Sequence, residues 1–324
     1  LLADDGTGAH AASGVDGIDG QDTGGCYRTP GGVWCWGVAD YEAALGNGSS
    51  IGDLARPVER DPTGTLGPMN GVFLLDQTAI SIDATDHWFG WGADLQGELL
   101  IAPPPPPQPP LQRRAAALPM ITLSNPATVA TGQHHACAIV GTQVWCWGRN
   151  DRGQSDPTAS SAPIAPRVVS VGAVHATELS LGRSHSCALI ETNLVCWGDL
   201  AEMAPAGDAA TCPSNICPPL VVSSSSPGWR HLPPVRNAGD RCAIDTNDRL
   251  WCWGDGYATA GGTPAMIDQL PAVRTSAISW EHGCAITTQS EIWCWGHDDH
   301  GQLGRGSIAP DDTTIYSAAR VVWR

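Results

Sequence analysis

Cys242-Ala243-Ile244-Asp245-Thr246-Asn247-Asp248-Arg249-Leu250-Trp251-Cys252-Trp253-Gly254 decides the fold, because the same phrase recurs along the chain. It reads Cys-Ala-aliphatic, a short polar turn, then apolar-Trp-Cys-Trp-Gly. Close copies run from Cys137-Ala138-Ile139 to Val144-Trp145-Cys146-Trp147-Gly148 and from Cys284-Ala285-Ile286 to Ile292-Trp293-Cys294-Trp295-Gly296. The copy from Cys187 to Gly198 has Val195 in place of the first Trp, and an early copy spans Cys26 to Gly37. The copy at Ile80 to Gly92 aligns with Cys242 to Gly254 without a gap, yet Ile80 and Gly90 stand where both cysteines should be. Joint loss is what a bonded pair predicts. Independent metal ligands or core thiols have no reason to vanish in twos.

Eight or nine residues separate the cysteines of each phrase. Short antiparallel strands around a two- or three-residue turn then place the sulfurs on opposed positions, close enough to bridge. The spacing predicts Cys26–Cys35, Cys137–Cys146, Cys187–Cys196, Cys242–Cys252 and Cys284–Cys294. Cys212 and Cys217 remain, flanked by Pro213, Pro218 and Pro219, and are expected to staple an inserted loop near residues 208–220. Loops this short give about 2–3 kcal/mol per bridge on the chain-entropy model.

The second Trp of each phrase falls at 36, 91, 147, 197, 253 and 295, a period of about fifty residues. That length suits a four-stranded blade with its loops. The composition agrees. Of 324 residues, 38 are Gly and 26 Pro, and only 15% are charged, which favours short strands and turns over long helices. The formal charge of -16 repels a nucleic-acid backbone, and the 17 basic residues hold only one adjacent pair, Arg113-Arg114, so nucleic acid is not an expected partner. Twelve cysteines in regular pairs point to an oxidising compartment, extracellular or at the cell surface. No apolar run approaches the ~20 residues of a spanning helix. The chain begins at Leu1, as expected if a secretion signal has been removed.

After several copies comes a glycine-bearing turn: Asp94-Leu95-Gln96-Gly97-Glu98, Asn150-Asp151-Arg152-Gly153-Gln154 and Asp299-His300-Gly301-Gln302-Leu303-Gly304. A Pro-rich link then leads into an apolar strand such as Pro166-Arg167-Val168-Val169, and Gly-x-x-His-x-Cys precedes the hairpin at Gly132 to Cys137 and Gly182 to Cys187. With these residues the chain resembles the regulator-of-chromosome-condensation (RCC1) repeat family over roughly residues 13–324. The resemblance implies an all-β propeller, here with six blades, seven being the alternative. The terminal segments, including Arg320-Val321-Val322-Trp323, are expected to close one blade jointly. Residues 1–12 form a flexible or partner-docking tail, and 101–119 a Pro-rich insertion whose Pro103–Pro110 run favours polyproline II.

Candidate chemistry is sparse. The two Trp of Trp-Cys-Trp share one strand face; core packing between blades is the expected role, with a sugar-binding platform as the alternative. His135, His185 and His282 each lie two residues before a repeat Cys, in separate copies, so symmetry spreads them apart and predicts structural roles, not a zinc site. Asp298-Asp299-His300 and Asp311-Asp312 lack the spacing of a cation loop and read as solvated turns. No nucleophile elbow, phosphate loop or His-Glu-x-x-His occurs. The expectation is a protein without catalytic, cofactor or metal residues. Asn47-Gly48-Ser49 matches the N-glycosylation sequon, and the Ser/Thr/Pro-rich stretch Ser155–Pro166 suits O-linked sugar.

The family's nuclear member exchanges guanine nucleotide on a small GTPase and docks on chromatin, a job poorly matched by an acidic, disulfide-rich chain. Two expectations follow from the sequence. One is an extracellular structural propeller that associates with itself into a filament or surface layer. The other is a secreted binder, inhibitor- or lectin-like, whose rim loops grip a protein or polysaccharide.

Overall fold

The computed structural model describes residues 2–4, 9–11, 13–21, 24–38, 51–58, 64–100, 113–120, 123–158, 163–171, 175–202, 212, 216–222, 233–236, 241–253, 264–278, 282–298, 303–304 and 314–321. Two compact units divide the chain, Leu1–Asp151 with Ser160–Val169 and Arg152–Ala159 with Ser170–Arg324.

The first unit holds three sheets. One is built from β1 (Leu2–Asp4), β2 (Ala9–Ala11), β3 (Gly17–Gln21), β4 (Gly24–Thr29), β5 (Gly32–Val38) and β6 (Ile51–Pro57), in the order β2-β1-β6-β5-β4-β3. The second is a meander of β7 (Gly71–Leu75), β8 (Thr78–Ile82), β9 (Trp88–Ala93) and β10 (Arg113–Pro119). The third repeats it with β11 (Pro126–Thr131), β12 (His135–Val140), β13 (Gln143–Gly148) and β14 (Ile164–Val169).

The second unit continues with β15 (Ala176–Leu181), β16 (His185–Ile190), β17 (Asn193–Asp199) and β18 (Ile216–Val222). Its middle sheet has β19 (Cys242–Ile244), β20 (Leu250–Cys252) and β21 (Ala265–Met266), with the bridge Val235↔Asp245 standing where a first strand lies elsewhere. The last sheet is β22 (Val273–Ile278), β23 (His282–Thr287), β24 (Ile292–His297) and β25 (Thr314–Arg320). Among the described residues the only helical turn is the 3-10 turn Leu200–Glu202, so the chain is all-β with six sheets.

The expected joint closure by both termini is corrected. Thr314–Arg320 pairs back onto β24, with Trp293 opposite Arg320 and the Val321 amide donating to the Ile292 carbonyl. An Arg-Val pair that reads as an opening strand is the returning fourth strand of its own sheet, in the register that sets Trp145 opposite Val168. Three further boundaries shift. Arg113–Pro119 is strand β10, not part of the insertion; Ile216–Val222 is strand β18, so the loop near 208–220 ends at 215; and the segment 1–12 contains strands β1 and β2.

Turn chemistry explains how hairpins with two different spacings keep one register. Where the cysteines are nine apart the loop is two residues, as at Gly141-Thr142, with Gly141 at φ +60°. Where they are ten apart, a three-residue loop absorbs the extra residue by placing Asp248 or Ser290 in the left-handed region at φ +63° and +62°. The cysteines therefore face one another in both cases.

Packing is dominated by aromatic burial. Trp91, Trp147, Trp197, Trp253 and Trp295, the second Trp of five phrases, are completely buried, as is Trp88. Each removes roughly 150–250 Å² from water, an upper estimate of about 4–6 kcal/mol. That makes the second Trp core in these five phrases, while Trp36 of the first is only partly buried beside Tyr27.

Candidate functional site

The glycine ending five of the phrases, Gly37, Gly92, Gly148, Gly198 and Gly296, has a backbone reason, a positive φ. Gly148 and Gly198 sit at φ +94° and +93°, and a Cβ on Gly148 would lie 2.8 Å from the His134 carbonyl oxygen. Opposite these glycines stand His135 and His185, and His282 faces Gly296 in the same register. His135 and His185 are fully buried, and the three lie in three separate sheets. No group of three metal-ligating side chains occurs among the described residues.

Two of the glycine-bearing turns accept a tryptophan indole from within their own unit. Trp147 Nε1 donates to the Glu98 carbonyl at 2.9 Å, and Trp197 Nε1 donates to the Gln154 carbonyl at 2.9 Å. Glu98 Oε2 accepts the Gln96 amide at 2.7 Å as Gln154 Oε1 accepts the Arg152 amide at 2.8 Å. The Glu98 carboxylate is buried with His134 Nδ1 3.6 Å away. Asp298, read from sequence as a solvated acid, is buried and accepts the Leu303 amide at 2.9 Å, as Asp94 accepts that of Leu99. Its chemistry is turn closure.

The hairpin turns hold two further carboxylates. Burial alone would raise the Asp245 carboxyl, but the Arg249 amide, the Trp251 indole, the Asn247 amide and the Arg249 guanidinium all donate to it and hold it below the ordinary carboxylate value. Asp83 is likewise lowered against its desolvation by Thr85 and His87. Burial raises the Tyr27 phenol.

Six disulfides are present: Cys26–Cys35, Cys137–Cys146, Cys187–Cys196, Cys212–Cys217, Cys242–Cys252 and Cys284–Cys294. The five hairpin bridges join directly paired residues with Cα atoms 4.0–4.1 Å apart, the close, non-hydrogen-bonded kind of cross-strand pair. Ile80 and Gly90 are paired in the same register. Asn47, Pro103–Pro110, Asp299, His300, Asp311 and Asp312 lie outside the described residues.

The outer strands carry a feature the sequence did not reveal. Opposite Trp36, Trp91, Trp147, Trp197 and Trp295 the fourth strand bulges, leaving two or three residues without a partner on the third strand. In β6 these are Asp53, Leu54 and Ala55, and Ala55 pairs instead with Ala3 of β1, in parallel. The residue just past each bulge faces the second Cys position: Arg56, Leu118, Arg167, Leu220 and Ala319, as Ala265 does in the fifth sheet. Further out on three of these strands, Val168, Val221 and Met266 are exposed at 40%, 46% and 38%, each opposite the first Trp position of its phrase.

Repeat, register and sheet order together define an RCC1-like repeat β-propeller. Residues 276–302 match the regulator of chromosome condensation (RCC1) repeat. Over nearly the whole chain the fold is similar to human WBSCR16 (TM-score 0.79, 16% identity, 97% of this chain and 83% of that one). It is also similar to Prp20p of Saccharomyces cerevisiae (TM-score 0.71, 17% identity, 94% and 76%). A looser likeness is to the CRINKLY ectodomain of the Arabidopsis thaliana receptor kinase ACR4 (TM-score 0.52, 16% identity, 90% and 82%). No curated protein sequence matches the chain significantly. At these identities the likeness is one of fold. Six disulfides point towards an oxidising, extracellular setting, and no helix among the described residues is long and apolar enough to cross a membrane.

Proposed function

We propose that this propeller is a non-catalytic extracellular interaction module that associates with itself into a filament or surface layer. The observation that carries the reading is the pairing of Ala3 with Ala55: the outer strand of the first sheet takes an added strand in place of ending at an open edge. Strand addition is a common mode of protein recognition, since backbone hydrogen bonds supply affinity without a prepared pocket. The outward Val168, Val221 and Met266 add apolar contact on the same side of their sheets.

A second reading, a soluble binder of another protein, is favoured by the fold's record elsewhere. Yeast Prp20p is described with binding properties to Gsp1p and histones, and a second structure holds Kap60 bound to yeast RCC1. Electron microscopy of the native, unheated protein, with light scattering on a size-exclusion column, separates the two. Regular fibres or sheets establish the structural polymer. A monodisperse species of 33.9 kDa at all concentrations removes self-assembly and leaves the binder.

A further inference from the structure

The first Trp of the last two phrases has surroundings that core packing does not explain. Trp251 and Trp293 are only partly buried, each against a hydrophobic cluster. Trp251 Nε1 donates to Asp245 Oδ2 at 3.0 Å, and Arg249 Nε donates to the same oxygen at 2.9 Å. The Arg249 guanidinium lies over the indole, 6.0 Å from the ring centroid. Trp293 Nε1 donates to Glu291 Oε2 at 3.2 Å, and Arg320, the cross-strand partner of Trp293, meets Glu291 Oε1 at 3.0 Å. Indole, carboxylate and guanidinium are thus joined twice, from different sources: Asp245 and Arg249 flank one turn, whereas Arg320 comes from β25. Both arginines are open to solvent, at 49% and 65%. Three other phrases lack the arrangement. Phe89 and Val195 replace the first Trp, and Trp145 Nε1 is enclosed without an acceptor among the described residues. The fold therefore seats this ring without a carboxylate, and exposed ion pairs add little to stability.

We propose that Trp251 with Arg249, and Trp293 with Glu291 and Arg320, are two subsites for the pyranose units of a neutral polysaccharide. Each arginine is matched by a carboxylate, so neither subsite carries net charge, and the chain at -16 repels a polyanion. What remains on offer is hydrogen bonding from fixed groups. Arg249 is held at Nε by a fully buried carboxylate, which leaves its terminal N–H groups to donate outwards. Glu291 and Arg320 set acceptor and donor side by side, as a sugar hydroxyl that both donates and accepts requires. A pyranose also has an apolar C–H face, and the partly exposed indoles supply its counterpart, with exposed Met266 paired opposite Trp251. Both subsites lie in the second unit, on consecutive sheets, so a polymer with repeating sugars that engages both gains avidity denied to a short oligosaccharide. The inference goes beyond self-assembly and applies equally to a single chain.

The test is affinity electrophoresis of the full chain through gels holding soluble starch, a β-1,3-glucan, hydroxyethyl cellulose or galactomannan, with polygalacturonate as the acidic comparison. Arg249→Ala, Arg320→Ala, Glu291→Gln and the double arginine variant are run alongside, each first shown to be folded by urea unfolding. Hydrogen exchange on the wild type with polymer bound gives a measurement free of folding effects. At least one neutral polymer should retard the wild type and polygalacturonate should not. Each arginine variant should weaken binding by about tenfold, the double variant by more, and amides of 245–251 and 290–293 should gain protection. No retardation by any of the neutral polymers, retardation by polygalacturonate alone, unchanged binding of a folded double variant, or protection gained only elsewhere in the chain overturns the proposal. Self-assembly is judged separately by microscopy and light scattering, so either reading can fail without the other.

Discussion

Ile80 stands directly opposite Gly90 in the one hairpin that lacks a cystine, and the space a second sulfur would need is filled from outside the hairpin. A Cβ placed on Gly90 would lie 2.6 Å from both Leu99 Cδ2 and Met120 Sδ. Gly90→Ala should therefore destabilise the protein by about 1–3 kcal/mol through overpacking. Ile80→Cys with Gly90→Cys should close a bridge, as loss of free thiol would report, yet raise the melting temperature only when Met120→Ala makes room. A large stabilisation without that third change would contradict the packing account.

Glu98 and Gln154 occupy the same place in two turns but differ in charge, and the difference tracks one neighbour. His134 stands near Glu98; the corresponding residue beside Gln154 is Ser184, whose carbonyl accepts the Asp199 amide as that of His134 accepts the Arg149 amide. Gln154→Glu should thus bury a carboxylate without a cation and cost about 1–3 kcal/mol in denaturant unfolding. Adding Ser184→His should recover much of it below neutral pH. Additive losses in the double variant would show that His134 does not compensate Glu98.

The hairpins were legible from sequence because their register is written in covalent chemistry. Two cysteines nine or ten apart admit one pairing, and the paired change to Ile80 and Gly90 repeats it. The second Trp was legible because side chains alternate along a strand. The outer strands were not. The residues that face the second Cys position, Arg56, Leu118, Arg167, Leu220, Ala265 and Ala319, share no side-chain property, lie at variable distance from the hairpin, and are aligned only by backbone pairing. Arg320-Val321 was misread for a related reason: an apolar pair looks the same in an opening and a returning strand. Leu2–Asp4 is three residues long and carries no alternation to read.

Asp245 makes part of the stability depend on acid. Its carboxyl titrates below its unfolded value of about 3.9, so its hydrogen bonds stabilise the fold fully above about pH 4 and are lost as pH falls through the lowered folded value. Asp245→Asn keeps one acceptor but turns an amide NH2 towards Arg249 Nε or Trp251 Nε1, both of which donate to Oδ2. The loss should be about 2–3 kcal/mol at pH 7 and shrink towards pH 2, measured by urea unfolding across that range. A gap constant with pH would assign the effect to shape, not charge.

Access, not bond number, should set the order in which the disulfides open. Cys137, Cys146, Cys187 and Cys196 are wholly buried between paired strands, and Cys26, Cys35, Cys242 and Cys252 nearly so. Cys212 and Cys284 are both only half-buried, but Cys284 is paired with Ala277 and Cys294 inside a sheet, whereas Cys212 ties a loop to Cys217 at the start of β18. Thiol exchange needs a thiolate to reach one sulfur along the bond, so a mild reductant acting on the native protein should open Cys212–Cys217 first. Timed alkylation with peptide mapping should label Cys212 and Cys217 while the secondary-structure signal is intact, and the buried hairpin cysteines only as it is lost. Early labelling of Cys187 or Cys196 in folded protein would mean that the fourth sheet opens locally, and that its hairpin bridge is not what holds it shut.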